Sequence, residues 1–179
     1  MAFMIMENAQ VPILGFAAFS GTGKTTLLTQ LIPILTHTGL RIGLIKHSHH
    51  NFQIDQPGKD SYRLREAGAQ QVMLVSTHRR AIIREFQPQR EPELNEELLA
   101  FDQSELDLIL VEGFKAANFS KIELHRPSLN KPLLYPGDPS IVAVACDSPL
   151  YVPTKIAQLD LNQPEQIANF ITQKFMGII

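Results

Sequence analysis

The segment Ser20-Gly21-Thr22-Gly23-Lys24-Thr25-Thr26 stands between an apolar run and a helical pattern, and no other stretch restricts the fold as strongly. The run before it, Val11 to Phe19, has the length and continuous hydrophobicity of a strand buried on both faces of a parallel sheet. Behind it, Leu27, Leu28, Leu31, Ile32 and Leu35 recur at helical spacing, with Gly39 as the stop. Strand, glycine-rich turn and helix are the context of a phosphate-binding loop. Gly21 and Gly23 let backbone N–H groups turn toward phosphate oxygens, and the helix N-terminus adds partial positive charge. Lys24 supplies an ammonium to the β- and γ-phosphates, and the Thr25 hydroxyl is a hard oxygen donor of the kind magnesium takes. Ala18 stands where such loops usually begin with glycine, so the backbone there must avoid positive φ.

Composition sets the class around this motif. The 179 residues suffice for one domain with a sizeable core, and 44% hydrophobic against 19% charged residues is ordinary for a globular protein. A net charge of −2 argues against a general nucleic-acid or anionic-membrane surface, which leaves small polyanions as the expected ligands. The single cysteine, Cys146, has no internal disulfide partner and reads as a buried structural thiol in a reducing cytoplasm. The apolar opening, Met1 to Met6, is too short for a signal-peptide core and reads as a loosely held terminus. No apolar run approaches the roughly 20 residues that cross a bilayer.

Further along, Arg41 to Lys46 reads as a second strand reached through one crossover helix. His47 to Lys59 reads as a loop, with Asp60 or Ser61 capping a short helix that ends at Gly68. Gln71–Val75 and Ala81–Phe86 are strand-like and turn through Ser76-Thr77-His78-Arg79-Arg80, predicting an antiparallel hairpin. Leu94, Leu98, Leu99 and Phe101 predict a short amphipathic helix before the apolar strand Leu106–Val111. Ser120–His125 alternates, placing Ile122 and Leu124 on one face; residues 127–139 are rich in proline and irregular, and Ile141–Ala145 is a buried strand. Asn162 with Glu165 resembles a capping box for a last helix. Pro33 inside the first helical pattern predicts a kink or an early end, since an interior proline costs about 3 kcal/mol.

Three groups add candidate chemistry. Glu112 follows four apolar residues and emerges at a strand's carboxyl edge beside the loop, where an acid holds magnesium or its waters; Gly113 then permits a sharp turn. Asp107, before the same run, belongs at the opposite end in a structural role. Lys46-His47-Ser48-His49-His50 gathers three imidazoles and an ammonium, readable as a metal site, as a contact to a terminal phosphate or second phosphorylated ligand, or as a solvated loop. Asp60 and Ser61 are caps or magnesium ligands. Asp147, after a late strand, is a turn residue or an acceptor for guanine N1 and N2.

Taken together, F-S-G-T-G-K-T-T-L, I-K-H-S-H-H, P-G-K-D-S-Y-R-L-R-E-A-G-A and L-I-L-V-E-G-F-K resemble the molybdopterin-guanine dinucleotide biosynthesis adaptor (MobB) family, from the first strand through Asp147. The phosphate loop alone is shared with many NTPases; its combination with the other three is specific. The resemblance implies an α/β fold of the P-loop NTPase type, a three-layer sandwich with a mostly parallel central sheet and an antiparallel hairpin insert. Length and patterning give one domain over residues 1–179, with a hairpin and helix insert at 72–101. The resemblance further implies a cytoplasmic, homodimeric, GTP- and Mg2+-binding adaptor with at most weak GTPase activity. Its partners would be a MobA-type molybdopterin guanylyltransferase and molybdopterin or its guanine dinucleotide. By position, Ser20, Gly21, Thr22, Gly23, Lys24, Thr25 and Thr26 would cradle phosphate, Thr25 and Glu112 would serve magnesium, Lys24 and Glu112 would act in any hydrolysis, and Lys46, His47 and Asp147 would line the cleft. Residues 72–86 are a candidate dimer surface. The other classes open to this loop are a small-molecule kinase, using Lys46 or Arg79-Arg80 on the transition state, and a metal-delivery GTPase loaded through the histidines.

Overall fold

In the first strand, β1 (Ile13–Ala17), side chains alternate between two apolar layers, Leu14 and Phe16 joining one and Ile13 the other, and all five residues are buried. The structure, a computed structural model, describes residues 6–48, 52–150 and 156–178. The chain gathers into two compact units, one of residues 1–47 with 93–179, the other of residues 48–92. The first unit begins β1, α1 (Lys24–His37) and β2 (Ile42–Lys46). The second holds α2 (Asp60–Glu66), β3 (Gln71–Val75) and β4 (Arg80–Arg84). The first then resumes with α3 (Leu94–Ala100), β5 (Leu108–Glu112), β6 (Lys121–His125), β7 (Ile141–Cys146), β8 (Ala157–Asp160) and α4 (Pro164–Asn169), which runs on as π-helical turns to Phe175.

The six strands of the first unit form one sheet in the order β2-β5-β1-β6-β7-β8, every neighbouring pair parallel. Leu27, Leu28, Leu31 and Leu35 of α1, with Ile167, Ala168 and Ile171 from the C-terminal helix, cover the face carrying Leu14, Phe16, Leu108, Leu110, Ile122 and Leu124. Leu94 and Leu98 of α3 and Phe119 cover the other, against Ile13, Ile109 and Val111. Full burial of each such side chain contributes roughly 1.5–3 kcal/mol, so these two layers supply most of the drive to fold. The fold is therefore α/β, three-layered, with a wholly parallel central sheet and a separate antiparallel hairpin, β3 with β4.

Several local expectations are corrected. Helix α1 runs through Pro33 to His37 rather than stopping, because Pro33 and Thr29, whose carbonyl loses its partner, both lie on the exposed face. Helix α2 starts at Asp60 itself, preceded by Lys59, and neither α2 nor α4 has a side-chain cap. In place of the Asn162 box, the Asp160 carboxylate accepts the Asn162 N–H at 2.8 Å, and α4 opens on Pro164. Strand β8 has no counterpart in the sequence reading; four half-buried residues are too few to show a period. Both faces of β6 are buried, including Lys121, Glu123 and His125. Cys146 is buried, and Met1 to Ile5 lie outside the described residues. No helix among the described residues is long and apolar enough to cross a membrane.

The amino ends of β2 and β5 are clamped by Arg41, whose backbone N–H, Nε and Nη2 donate to the Asp107 carboxylate at 2.8, 3.0 and 2.9 Å. These bonds lower the Asp107 pKa from 3.8 to about 2. A depressed carboxyl pKa gives stability that is present above the unfolded value and lost as pH falls from 3.8 through about 2. Urea midpoints of Asp107→Asn and the parent should therefore differ at pH ~5 and converge toward pH ~2; a gap unchanged over that window counts against the clamp.

Within the second unit, α2 packs on β3, and Arg65 ties the unit together, reaching Glu85 at 2.9 Å and Asp55 at 3.3 Å and lying over the Tyr62 ring. The hairpin leaves Met73, Leu74, Val75, Ile82 and Phe86 exposed.

Candidate phosphate-binding site

Parallel pairing sets the carboxyl ends of all six strands along one edge of the sheet, and their register decides what stands beside what. Phe16 of β1 pairs with Glu112 of β5, and Lys46 of β2 pairs with the same Glu112. On the other side of β1, His125 of β6 pairs with Cys146 of β7, which pairs with Asp160 of β8. The order along the edge is thus Lys46, Glu112, the loop after β1, Arg126, Asp147 and Asp160.

The loop after β1 has the required backbone. Gly21 and Gly23 hold φ of 82° and 100°, Gly23 immediately precedes α1, and the Leu27 N–H closes the first helical turn on the Gly23 carbonyl at 2.9 Å. Ala18 is buried outside the left-handed region, so it takes the place of a glycine without strain. Thr22 is buried, and its hydroxyl donates to the Phe19 carbonyl at 2.8 Å, which commits that side chain to holding the loop's shape. Ser20, Thr25 and Thr26 are exposed, Ser20 in the loop and both threonines on the first turn of α1. Burial pushes the Lys24 ammonium below its usual pKa; Glu112 pulls it back, and Lys115 and Lys46 push it further down. Lys24 is thus a cation short of compensation, which an incoming anion relieves.

Glu112 is mostly buried, with its carboxylate 3.2 Å from Lys46 Nζ and its carbonyl accepting the His47 N–H at 2.8 Å. Gly113, at φ 101°, sits so close to His47 that a Cβ would lie 2.7 Å from the His47 Cβ. That turn brings Phe114 into a stack with the His47 ring at 4.8 Å. Lys46, His47, Glu112 and Lys24 accordingly form one cluster. Thr25 and Glu112 offer the hard oxygens that magnesium prefers, so the donor chemistry fits that ion. His49 and His50 lie outside the described residues. Asp60, Ser61, Arg79 and Arg80 belong to the second unit.

Arg126 is a residue that sequence reasoning missed. Its Nε donates to the Thr22 carbonyl at 2.9 Å and its Nη1 to Asp147 Oδ2 at 2.7 Å, so one guanidinium links the phosphate loop to Asp147. Only the β6–β7 register brings these two together, though each directly follows a strand. Beyond Asp147 opens a cavity of about 320 Å³ whose lining includes Asp147, Ser148, Gln158, Asp160 and Gln163. One edge of the sheet therefore carries a backbone cradle with a lysine, an acid, and a polar pocket on the far side of an arginine.

Residues 13–147 match the family model of molybdopterin guanine dinucleotide synthesis protein B, MobB. The chain belongs to this family. The molybdopterin-guanine dinucleotide biosynthesis adapter protein of Escherichia coli K12 is 47% identical over 167 residues, covering 93% of this chain and 94% of its relative. The protein of the same description from Haemophilus influenzae is 45% identical over 168 residues, covering 94% and 92%. A crystal structure of molybdopterin-guanine biosynthesis protein B is similar with a TM-score of 0.68 at 28% identity, covering 89% of this chain and 97% of that one. The MobB match spans β1 through Asp147, so it includes the loop, Lys46, Glu112 and Arg126. The sheet and loop make the fold that of a P-loop NTPase.

Proposed function

We propose that this MobB-family chain is a GTP- and Mg2+-binding adapter in the synthesis of molybdopterin guanine dinucleotide. Its role in this reading is to assist a MobA-type guanylyltransferase that attaches GMP to molybdopterin. The observation that carries the nucleotide part is the loop itself, with its left-handed Gly21 and Gly23, its start-of-helix Lys24, and Glu112 close enough to act on that ammonium. The pathway part is supported by the printed names of relatives that align over nearly their whole length. In this reading Ser20, Gly21, Thr22, Gly23, Thr25 and Thr26 surround the phosphates and Lys24 neutralises their charge. Thr25 and Glu112 hold the metal, while Lys46 and His47 close the cleft. When bound, magnesium would offset phosphate charge. Hydrolysis is slow, the whole chain works as one nucleotide-binding domain in the cytoplasm, and two copies pair through the hairpin, whose exposed Met73, Val75 and Ile82 favour burial.

Guanine preference is assigned to Asp147, because Arg126 fixes one carboxylate oxygen while the side chain lines the adjoining polar cavity. The test is binding of GTP, ATP and molybdopterin to the purified protein with and without magnesium, repeated with Asp147→Asn. GTP should win in the parent, and the asparagine variant should lose about tenfold in GTP-over-ATP preference, the scale of one base-reading hydrogen-bond pair. Equal selectivity in parent and variant returns Asp147 to a structural role beside Arg126.

A further inference from the structure

Two lysines that the nucleotide reading leaves unused stand over one aromatic ring. Lys115, on the loop after β5, and Lys131, on the loop after β6, place their Nζ atoms 6.0 and 5.9 Å from the centre of the Phe19 ring. Both side chains are exposed, and among the described residues neither makes an ion pair. Phe19 immediately precedes Ser20, so the pair flanks the phosphate loop. Lys115 also pushes down the Lys24 ammonium together with Lys46, and the acid in that field, Glu112, is already engaged by Lys46 at 3.2 Å. Lys115, Lys46 and Lys24 thus share one acid, and Lys131 stands by the same ring as Lys115, so an anion that reaches this flank meets positive charge in excess.

The fold fixes both loops from beneath with buried charges. Lys121 is 3% exposed, and its Nζ donates at 2.7 Å to the Ala117 carbonyl, two residues beyond Lys115, and at 2.7 Å to the Ser140 hydroxyl. Glu123 is 1% exposed, and its two carboxylate oxygens accept the N–H groups of Leu134 and Tyr135, each at 2.8 Å, just beyond Lys131. Burying an ion costs several kcal/mol unless it is fully hydrogen-bonded, and here two are buried and satisfied by the loops that bear the exposed lysines. Loops held in this way need no backbone ordering at the moment of binding, which leaves only the lysine side chains to be fixed.

We propose that Lys115 and Lys131, presented over Phe19, form a second anion site that takes the phosphate monoester of a ligand other than the nucleotide. The loop amides and Lys24 already face the triphosphate, so a pair on the loop's flank is surplus to it. Two mobile ammonium groups suit a compact dianion better than a planar carboxylate, which arginine would grip. The inference takes from the proposed function only that the loop beside the pair is the nucleotide's.

Inorganic phosphate titrated calorimetrically into Lys24→Ala protein probes the pair with the loop's own ammonium removed and the loop amides common to every variant compared. Phosphate should bind in about the millimolar range, and adding Lys115→Ala and Lys131→Ala should weaken it at least about tenfold. With Lys24 intact, Lys115→Ala plus Lys131→Ala should lower GTP affinity by clearly less than phosphate affinity falls, the loss of one cation from the field of Lys24 being the whole of that effect. The proposal is overturned if phosphate binds equally with and without the pair, or if GTP affinity falls as far as phosphate affinity does. If the wild-type protein binds no GTP, the loop reading fails by itself and the phosphate comparison still decides the pair.

Discussion

Lys24→Ala is expected to weaken GTP binding by about a hundredfold while leaving the thermal midpoint close to that of the parent. A charge-assisted hydrogen bond to a phosphate contributes roughly 1.5–3 kcal/mol. Lys24 lies toward the upper end, because burial has already stripped part of its hydration and lowered its pKa, so a phosphate meets an ammonium with little competing solvent. At 1.4 kcal/mol per tenfold, 3 kcal/mol is about two decades. The fold should tolerate the change, since Lys24 opens α1 where alanine is a good helix former and no backbone bond depends on its side chain. Glu112→Gln supplies the contrast. Its partner Lys46 is freed from an ion pair and a carboxylate beside the phosphates is gone, so binding measured in EDTA should be kept or slightly tightened, while the gain on adding magnesium should shrink. Fluorescence titration with a labelled GTP analogue reads both variants. Parental affinity in the alanine variant would remove the loop from the nucleotide site, and an undiminished magnesium response in Glu112→Gln would remove Glu112 from the metal.

The sequence disclosed those parts of the candidate site whose backbone conformation is set locally. Gly21, Gly23 and Lys24 are close neighbours, and the conformations they need are legible in residue type alone. Glu112 was readable because four apolar residues and a following glycine mark a strand's end. The single-helix crossover and the hairpin were readable for the same reason, since each is announced by its own period and turn residues. Arg126 was not, because its bond to Asp147 depends on His125 pairing with Cys146, a register that no local pattern specifies. The convergence of Lys115 and Lys131 on Phe19 was hidden likewise, since three separate segments meet there. The alternation in β6 places Ile122 and Leu124 on one face and leaves open what covers the other. A lysine, a glutamate and a histidine between apolar residues look like a solvent face, yet the Glu123 carboxylate is satisfied by backbone N–H groups from the loop at 134–135 and Lys121 by Ala117 and Ser140. Period identifies faces, but the loops decide which faces are covered.

Gly15→Ala is expected to destabilise the protein by about 2–3 kcal/mol, lowering the thermal midpoint by about 5–10 °C in a chain of this size. Gly15 occupies the centre of β1, between β5 and β6, on the face filled by Phe119 rather than by a side chain of its own. A Cβ there would lie 2.6 Å from Phe119 Cε2, 2.8 Å from its Cζ and 3.1 Å from Lys121 Cγ. Phe119 is fully buried, so its ring moves only by displacing packed neighbours such as Leu94, Leu98 and Val111. Lys121 is held through its Nζ by Ala117 and Ser140 and cannot yield freely either. The clash is specific enough for a double-mutant cycle. Phe119→Leu removes the two ring atoms in closest approach and by itself leaves a cavity, so combining it with Gly15→Ala should place the new methyl in vacated space. The double variant should then be more stable than the two single losses predict by at least about 1 kcal/mol. Strict additivity would show that the cost of Gly15→Ala comes from somewhere other than the ring. Because β1 leads directly into the phosphate loop and Gly15 also pairs with Val111, next to Glu112, the displacement that relieves the clash should weaken GTP binding as well, and Phe119→Leu should restore both properties together.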